Sequence, residues 1–390
     1  MIHGLLGEYE YRLFEVSPEN LDAFLTAKQF EGLNVTIPYK QTVIPYCDDL
    51  SDEARAIGSV NTIVKEADGS LVGYNTDYYG FLVMMDRAGI SPEGKKALVL
   101  GDGGSARTVR YALAGSGARE IVTISRRGEN HYGNLEQHYD AEIIVNTTPV
   151  GTYPGNGESL LTLKHFPQLC GVADLIYNPL RTKLILQAEE LRIPHTNGFI
   201  MLAAQGELAS RLFTKGPSRP WLADDIAGAI NNETRNIALI GMPGCGKSTA
   251  AKILADKTGR PLIDIDALIE KASGKTIPAI FSEKGEEAFR RLETDILTEE
   301  SKKSGAVIAA GGGVVTRPEN RDLLRQNSLV VYLARDLNEL DTVGRPLSLD
   351  SGIQKLAKTR LHLYEAWSDI TVLVSPDPEQ TVIKILEVIA

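Results

Sequence analysis

The sequence predicts an α/β protein of two or three domains, and three observations support this prediction. Apolar runs typical of buried strands alternate along the chain with runs of helical spacing. Two glycine-rich loops, at residues 101–106 and 241–249, each lie between such a strand and such a helix. Several strand-like runs end in polar turns, as they do at the ligand-binding edge of an open parallel sheet. A chain of 390 residues can form two or three such domains, each with its own core.

Composition and charge narrow the function classes. The chain is 43% hydrophobic and 24% charged, and no apolar run approaches membrane-spanning length, so we expect a soluble protein without a membrane partner. A formal net charge of -10 without a basic cluster argues against a nucleic-acid partner. The three cysteines, Cys47, Cys170 and Cys245, have no paired spacing for a metal or a disulfide, and no signal segment leads the chain, which favours a reducing cytoplasm.

Residues 1–92 read as a first α/β domain, with a helical run at 20–30 and a strand-like run at 33–37. It contains three polar clusters, which are Asn34-Val-Thr-Ile-Pro-Tyr-Lys40, Gly58-Ser-Val-Asn-Thr62 and Gly73-Tyr-Asn-Thr-Asp77. Any one of them alone could be a capped turn. Three clusters near strand ends, carrying a lysine, an aspartate and amides, favour a binding site instead.

Residues 93–198 read as a Rossmann domain, because Gly101-Asp-Gly-Gly-Ser-Ala106 follows a strand at 95–100 and precedes a helix at 107–114. The next strand, 120–124, ends in Ser125-Arg-Arg127, where an NAD site would carry an acidic residue. Arg126 or Arg127 suits the extra phosphate of NADP, although a solvated surface pair is the alternative. Strands at 141–145 and 171–176 also end in polar turns, and helical runs follow at 180–191 and 201–214. We expect the helix 199–214 to return to the first domain and residues 215–235, with a possible short helix at 222–230, to form a linker.

Residues 236–390 read as a parallel α/β domain built on a P-loop. Gly241-Met-Pro-Gly-Cys-Gly-Lys-Ser-Thr249 meets every position of G-x-x-x-x-G-K-[ST] between a strand and a helix, and an ordinary glycine-rich turn would not require that lysine and serine. Lys247 would reach the terminal phosphates and Ser248 would ligate Mg²⁺. Asp264 and Asp266 end a strand-like run at 260–266 on alternate positions, which points both carboxylates to one side of the sheet. The glycines at 311–313 would let a ligand lie against the backbone, and residues 344–347 read as a mobile lid.

The two halves resemble two enzyme families. The first half is similar to shikimate dehydrogenase in the clusters ending at Lys40, Thr62 and Asp77, in the 101–106 loop, and in residues 146–149 and 198–202. The second half is similar to shikimate kinase in its P-loop, Asp264-Ile-Asp266, Phe289-Arg290, the glycines at 311–313, Arg345-Pro-Leu347, and Arg360 with Tyr364. These families catalyse consecutive steps of aromatic amino-acid biosynthesis.

The resemblance to the dehydrogenase implies that Lys40 and Asp77 act at the reacting carbinol, because hydride transfer leaves a hydroxyl proton for a nearby base. It implies that four residues hold the ring hydroxyls: Thr36, Asn61, Tyr177 and Gln205. It further implies that NADP(H) is bound by Gly101, Gly103, Gly104, Ser105, Ala106, Ser125, Arg126, Arg127, Asn146 and Gly198.

The resemblance to the kinase implies that Asp264 binds Mg²⁺ through water, together with Ser248, and that Asp266 orients or deprotonates the attacking hydroxyl. Arg290 and Arg360 would clamp the substrate carboxylate beside Gly312, and Arg345 would close over the transferring phosphate. ATP would be held by Gly241, Gly244, Cys245, Gly246, Lys247, Ser248 and Thr249.

Two departures from the families stand out. The run 340–344 lacks the arginine that the kinase family places beside the adenine, which makes nucleotide affinity harder to predict than chemistry. In the dehydrogenase family a first strand and a Ser-x-Ser-Pro turn precede a histidine that matches His3, so we expect the natural product to start upstream of Met1.

The sequence thus predicts a bifunctional enzyme that reduces 3-dehydroshikimate with NADPH and then phosphorylates shikimate with ATP. One alternative is an active kinase whose first half is a silent or ligand-sensing domain. A P-loop factor acting on nucleotides or nucleic acids is disfavoured by the acidic charge and by the set Asp264, Asp266, Arg290 and Arg360.

Overall fold

The computed structural model describes residues 2–6, 9–217, 219, 222–340 and 352–389. The chain divides into two compact units, Met1–Ile230 and Asn231–Ala390. Among the helices that the structure describes, none is both long enough and apolar enough to cross a membrane. The predicted α/β class, with parallel sheets in both halves, is confirmed.

The first unit begins with a four-stranded mixed sheet whose order is β1-β3-β4-β2. Its strands are β1 (Gly32–Asn34), β2 (Asp49–Leu50), β3 (Thr62–Lys65) and β4 (Leu71–Tyr74). The helices of this part are α1 (Ile2–Leu6), α2 (Leu21–Ala27), α3 (Asp52–Ile57) and α4 (Thr76–Arg87). Only β2 and β4 pair in parallel, so the polar clusters that follow β1, precede β3 and follow β4 meet at one end of the sheet.

The same unit continues with a five-stranded parallel sheet whose order, β6-β5-β7-β8-β9, is that of a Rossmann-like doubly wound fold. The strands are β5 (Lys96–Leu100), β6 (Glu120–Ile124), β7 (Ile143–Asn146), β8 (Gly171–Asp174) and β9 (His195–Thr196). The helices are α5 (Gly104–Gly115), α6 (Lys183–Glu190) and α7 (Phe199–Thr214). Helix α7 packs against α4, and Gly80 permits the approach because a Cβ there would lie 2.6 Å from the Met201 carbonyl oxygen.

Most of the segment predicted as a linker is helical. Helix α8 (Leu222–Thr234) extends beyond the possible short helix predicted at 222–230. Ala223, Ile226 and Ile230 recur at helical spacing and are buried in a cluster with side chains of α1 and α7. Burial of this narrow apolar stripe holds the segment in place, and the stripe is easy to overlook because the five residues between its members are acidic or small.

The second unit is a parallel five-stranded sheet with the order β11-β12-β10-β13-β14. Its strands are β10 (Asn236–Ile240), β11 (Leu262–Asp264), β12 (Val307–Ala309), β13 (Ser328–Ala334) and β14 (Ile370–Leu373). Its helices are α9 (Lys247–Thr258), α10 (Ile265–Ser273), α11 (Ile277–Glu300), α12 (Glu319–Arg325), α13 (Ile353–Trp367) and α14 (Pro378–Ile389). The strand predicted at 260–266 ends earlier, at Asp264, because that side chain accepts a hydrogen bond from Ala267 N and starts α10.

Candidate active sites

The first candidate site centres on an ion pair. Lys40 Nζ lies 2.7 Å from Asp77 Oδ2, and the two side chains are only 22% and 14% exposed. The Lys40 carbonyl accepts from Val60 N at 2.7 Å, which ties its loop to the strand region of the second cluster. Asp77 lies in the first turn of α4, where the Asn75 side chain caps the helix by accepting from Tyr78 N. A half-buried ammonium held by a carboxylate can give or take a proton at a bound hydroxyl.

A buried amide network adjoins this pair. Asn61 is 3% exposed, and its Nδ2 donates to Thr76 Oγ1 at 3.1 Å and to Gln205 Oε1 at 3.3 Å. Its Oδ1 accepts from Thr76 N at 2.7 Å. The network brings together the second cluster, the third cluster and α7. Tyr177 is 47% exposed and Thr36 is also exposed, so neither residue is closed off from a ligand by packing.

The predicted dinucleotide loop approaches the turn that follows β7. Gly101 has φ +102, and a Cβ there would lie 2.8 Å from Thr148 Cγ2, so this position requires glycine. Helix α5 has Gly103 at its N-cap and no side-chain cap, whereas α4 and α6 are capped by Asn75 and Thr182. The first turn of α5, which includes Gly104, Ser105 and Ala106, therefore offers backbone donors to a phosphate.

The two arginines after β6 are exposed. Ser125 Oγ donates to the Arg127 carbonyl at 2.5 Å, which shapes the turn that carries Arg126 and Arg127. Gly198 has a packing role, because its N donates to the Ile176 carbonyl at 3.0 Å and a Cβ would overlap the Leu175 carbonyl. Both arginines are thus accessible to a ligand, whereas Gly198 is packed against the backbone of residues 175 and 176.

Asn146 is buried, and its side chain bonds within the protein. Its Nδ2 donates to Asp174 Oδ1 at 3.0 Å, and its Oδ1 accepts from Thr148 N and Thr148 Oγ1 at 3.0 and 2.8 Å. Asp174, which the sequence analysis overlooked, is fully buried. Burial raises the pKa of Asp174 to about 6, while the hydrogen bonds from Thr182, Ile176 N and Asn146 oppose the increase. The available signal was an aspartate at the end of an otherwise apolar buried strand.

The second candidate site is a cavity of about 350 Å³ in the second unit. Ten of the residues predicted to form the kinase site line it: Gly244, Gly246, Lys247, Ser248, Thr249, Asp264, Asp266, Arg290, Gly312 and Arg360. Cys245 is buried behind the loop, and Gly241 contributes its carbonyl rather than a wall of the cavity. Arg345 and the predicted lid at 344–347 lie outside the described residues.

The P-loop wraps around its own lysine. Lys247 Nζ donates to the carbonyls of Gly241 and Met242 at 2.9 and 3.0 Å. Gly246, the N-cap of α9, has φ +100, and no side chain caps the helix. As at α5, the first backbone N–H groups of the helix are left for a phosphate.

The two predicted aspartates do face the same cavity, but not for the predicted reason. Asp264 Oδ1 accepts from Ala267 N at 3.1 Å, and Asp266 lies in the first turn of α10 rather than on a strand. Burial raises the pKa of Asp266. The positive charges of Lys247 and Arg290 oppose the increase, and the Asp264 carboxylate adds to it.

A buried glutamate that the sequence analysis overlooked holds Arg290. Arg290 Nη1 lies 2.7 Å from Glu293 Oε2, and the two side chains are 6% and 0% exposed. Arg290 also pairs with Glu286, whose side chain is 46% exposed. The second oxygen, Glu293 Oε1, is buried and finds no hydrogen-bond partner in the part of the chain that the structure describes. The sequence does indicate this pair, because Arg290 and Glu293 are three residues apart within the predicted helix and residues at that spacing lie on the same face.

The glycines at 311–313 line the cavity and are also closely packed against other residues of the protein. A Cβ on Gly311 would overlap Glu293, a Cβ on Gly312 would lie 2.7 Å from the Pro243 ring, and a Cβ on Gly313 would overlap the Arg290 guanidinium. The Gly312 carbonyl accepts from Arg360 Nη1 at 3.2 Å and from the Tyr364 hydroxyl. The expectation that a ligand lies against this backbone stays a prediction, because all three glycines line the cavity and buried side chains also approach them.

Two family models match parts of the chain. "Shikimate dehydrogenase substrate binding domain" matches residues 3–63, and "Shikimate kinase" matches residues 243–390. A shikimate dehydrogenase (NADP(+)) of Clostridium perfringens is 38% identical over 219 residues, which cover 52% of this chain and 80% of the relative. The corresponding enzyme of Moorella thermoacetica is 38% identical over 229 residues and is covered to 77%.

Solved structures that are similar to the chain include a shikimate 5-dehydrogenase and a fusion protein that contains one. The crystal structure of a chorismate mutase/shikimate 5-dehydrogenase fusion protein from Clostridium acetobutylicum has a TM-score of 0.55 and 32% identity, covering 59% of this chain and 90% of that one. Shikimate 5-dehydrogenase from Thermus thermophilus, in complex with NADP(H) and shikimate, has a TM-score of 0.52 and 32% identity, covering 58% of this chain and 92% of that one.

Proposed function

We propose that this chain catalyses two consecutive reactions. The premise is that the chain belongs to the shikimate dehydrogenase family over its N-terminal half and carries a shikimate kinase domain in its C-terminal half. The first unit reduces 3-dehydroshikimate to shikimate with NADPH. The second phosphorylates shikimate to shikimate 3-phosphate with ATP. The observation that carries the proposal is that each compact unit holds its own set of acid–base and anion-binding side chains.

In the first unit, Lys40 moves the proton of the reacting hydroxyl, and Asp77 holds the ammonium group in place at 2.7 Å. Bound NADPH supplies the hydride. Thr36, Asn61, Tyr177 and Gln205 hold the ring hydroxyls, and the Asn61 network keeps Gln205 oriented. Arg126 and Arg127, which are exposed after β6, favour NADP over NAD because a guanidinium can bind the 2′-phosphate.

In the second unit, Arg290 and Arg360 bind the substrate carboxylate, and Asp266 accepts the proton of the attacking hydroxyl. The raised pKa of Asp266 makes it a stronger base than an exposed aspartate. Lys247 stabilises the transferring phosphate, and Arg345, which lies outside the described residues, adds a second cation there.

A magnesium ion fits the charge of this cavity. Among the described residues, its lining includes four carboxylates, those of Asp264, Asp266, Glu270 and Glu293, but only three cationic side chains. An anionic nucleotide would therefore enter a site that is already slightly negative, and a divalent cation offsets this charge. Ser248 and Asp264 would hold the ion with water and the nucleotide as further ligands, since in the described ranges no three or more Asp, Glu, His or Cys side chains are grouped so that they could hold a metal ion.

The test assays both reactions on one purified chain, beside the variants Lys40→Ala and Lys247→Ala. We expect Lys40→Ala to lose dehydroshikimate-dependent NADPH oxidation and keep phosphoryl transfer, and Lys247→Ala to do the reverse. A wild-type chain that phosphorylates shikimate but never oxidises NADPH would leave only the kinase half of the proposal. Loss of both activities in either variant, with its circular dichroism unchanged, would contradict separate sites.

A further inference from the structure

We infer that Asp174 is a positioning residue that links the cofactor side of the dehydrogenase site to the substrate side, so that binding of one ligand strengthens binding of the other. The inference rests on the dehydrogenase function proposed above. Asp174 is the last residue of β8, is 0% exposed and lies at the carboxyl edge of the sheet.

Three donors from three different segments converge on this one carboxylate. Oδ1 accepts from Asn146 Nδ2 at 3.0 Å and from Ile176 N at 3.1 Å. Oδ2 accepts from Thr182 Oγ1 at 2.6 Å. All three partners can donate to this carboxylate at the same time, and the two partners of Oδ1 are N–H groups that can only donate.

On the cofactor side, the link passes through Asn146 to the turn after β7. The Asn146 side chain accepts from both Thr148 N and Thr148 Oγ1, which fixes the conformation of that turn. Thr148 is also one of the two residues that approach Gly101 most closely. A displacement of Asn146 would therefore reach the glycine loop on which the dinucleotide is proposed to lie.

On the substrate side, the link passes through Ile176 to Tyr177, which is 47% exposed and whose hydroxyl is proposed to contact the ring. The Ile176 carbonyl in turn accepts from Gly198 N at 3.0 Å, which joins this loop to the start of α7, the helix that carries Gln205. Thr182 anchors the far end of the same loop, because its Oγ1 also caps α6 by accepting from Ile185 N at 3.3 Å. One buried carboxylate thus holds both the turn after β7 and the loop after β8.

The experiment measures binding without turnover. NADP⁺ affinity is titrated with and without saturating shikimate, in the wild-type chain and in Asp174→Asn, and the ratio of the two dissociation constants is the coupling factor. We expect each ligand to strengthen the other several-fold in the wild type, and we expect the factor to fall to about one in Asp174→Asn, because coupling is a difference in binding free energy between two sites. A residue that only stabilises the fold would lower the melting temperature and leave this ratio unchanged.

Thr182→Val provides the second variant, since it removes the single donor to Oδ2 and keeps both Oδ1 contacts. It should lower the coupling factor partly and is the deciding variant if Asp174→Asn does not fold. A wild-type coupling factor in the folded variants, or the absence of coupling in the wild type, would overturn the inference while leaving the dehydrogenase function intact. A wild-type chain that binds neither ligand would overturn both.

Discussion

Replacing Glu293 by glutamine should weaken the kinase site through Arg290 rather than through direct contact with the reacting groups. The carboxylate is fully buried and lies 2.7 Å from a guanidinium that is itself 6% exposed. Removing one partner of such a pair typically costs about 3–5 kcal/mol, because the other charge stays buried. Glutamine retains an oxygen that can still accept from Nη1, so we expect a loss of about 2 kcal/mol in the unfolding free energy.

That loss predicts a melting temperature lower by about 4–8 °C for a unit of this size. Arg290 would also turn towards its remaining partner, Glu286, and away from the position in which it is proposed to bind the substrate carboxylate. We therefore expect the KM for shikimate to rise at least tenfold, with a smaller change in kcat. Thermal unfolding of the full chain and steady-state phosphoryl transfer measure the two effects separately.

Glu286→Gln is the matched control, because it changes the same chemical group beside the same arginine. Its side chain is 46% exposed, and exposed ion pairs are typically worth less than about 1 kcal/mol. We expect its melting temperature and its KM to stay close to the wild-type values. Equal effects of the two substitutions, or an unchanged KM in Glu293→Gln, would refute the view that burial makes Glu293 the partner that positions Arg290.

Three further predictions concern the first unit. Lys40→Ala should lower dehydrogenase kcat by about two to four orders of magnitude, the range for a positioned acid or base, and an effect of only a few-fold in steady-state assays would make Lys40 a binding contact. Replacing Arg126 and Arg127 together by serine should raise the KM for NADPH and narrow the preference over NADH, whereas an unchanged preference would mean that both arginines are only surface residues. Because the folded-state pKa of Asp174 is about 6 and its unfolded value is about 3.9, its contribution to stability is present below pH about 4 and lost as the pH rises through 6. In urea unfolding, the unfolding free energy of the first unit should fall by at most about 3 kcal/mol between pH about 4 and about 6, relative to the same measurement on Asp174→Asn. Parallel pH profiles of the unfolding free energy in the two proteins would contradict a raised pKa of Asp174.

The sequence was sufficient for those features that depend on neighbouring residues. Both glycine loops were located correctly because a strand, a turn and a helix follow one another within a short stretch of chain. Asp264 and Asp266 were predicted to lie on one strand with both carboxylates on the same side of the sheet, and this geometry was wrong. The alternation of a strand was assumed to continue to Asp266, although Asp264 caps a helix. Aspartate is among the strongest N-cap residues, and that competing preference ended β11 at Asp264.

The features that the sequence could not provide depend on side chains that meet from distant segments. Nothing in Gly311-Gly-Gly313 indicates that Glu293 and Arg290 of α11 and Pro243 of the P-loop each approach a different glycine of the run. A glycine-rich stretch after a strand predicts close approach of something to the backbone, but the identity of that neighbour depends on the tertiary fold. Here the neighbours of Gly311 and Gly313 are charged groups that line the cavity, so a methyl group on Gly313 would displace the guanidinium that is proposed to bind the substrate. The absence of side chains on this run therefore gives Arg290 and Glu293 room to pair in the wall of the cavity.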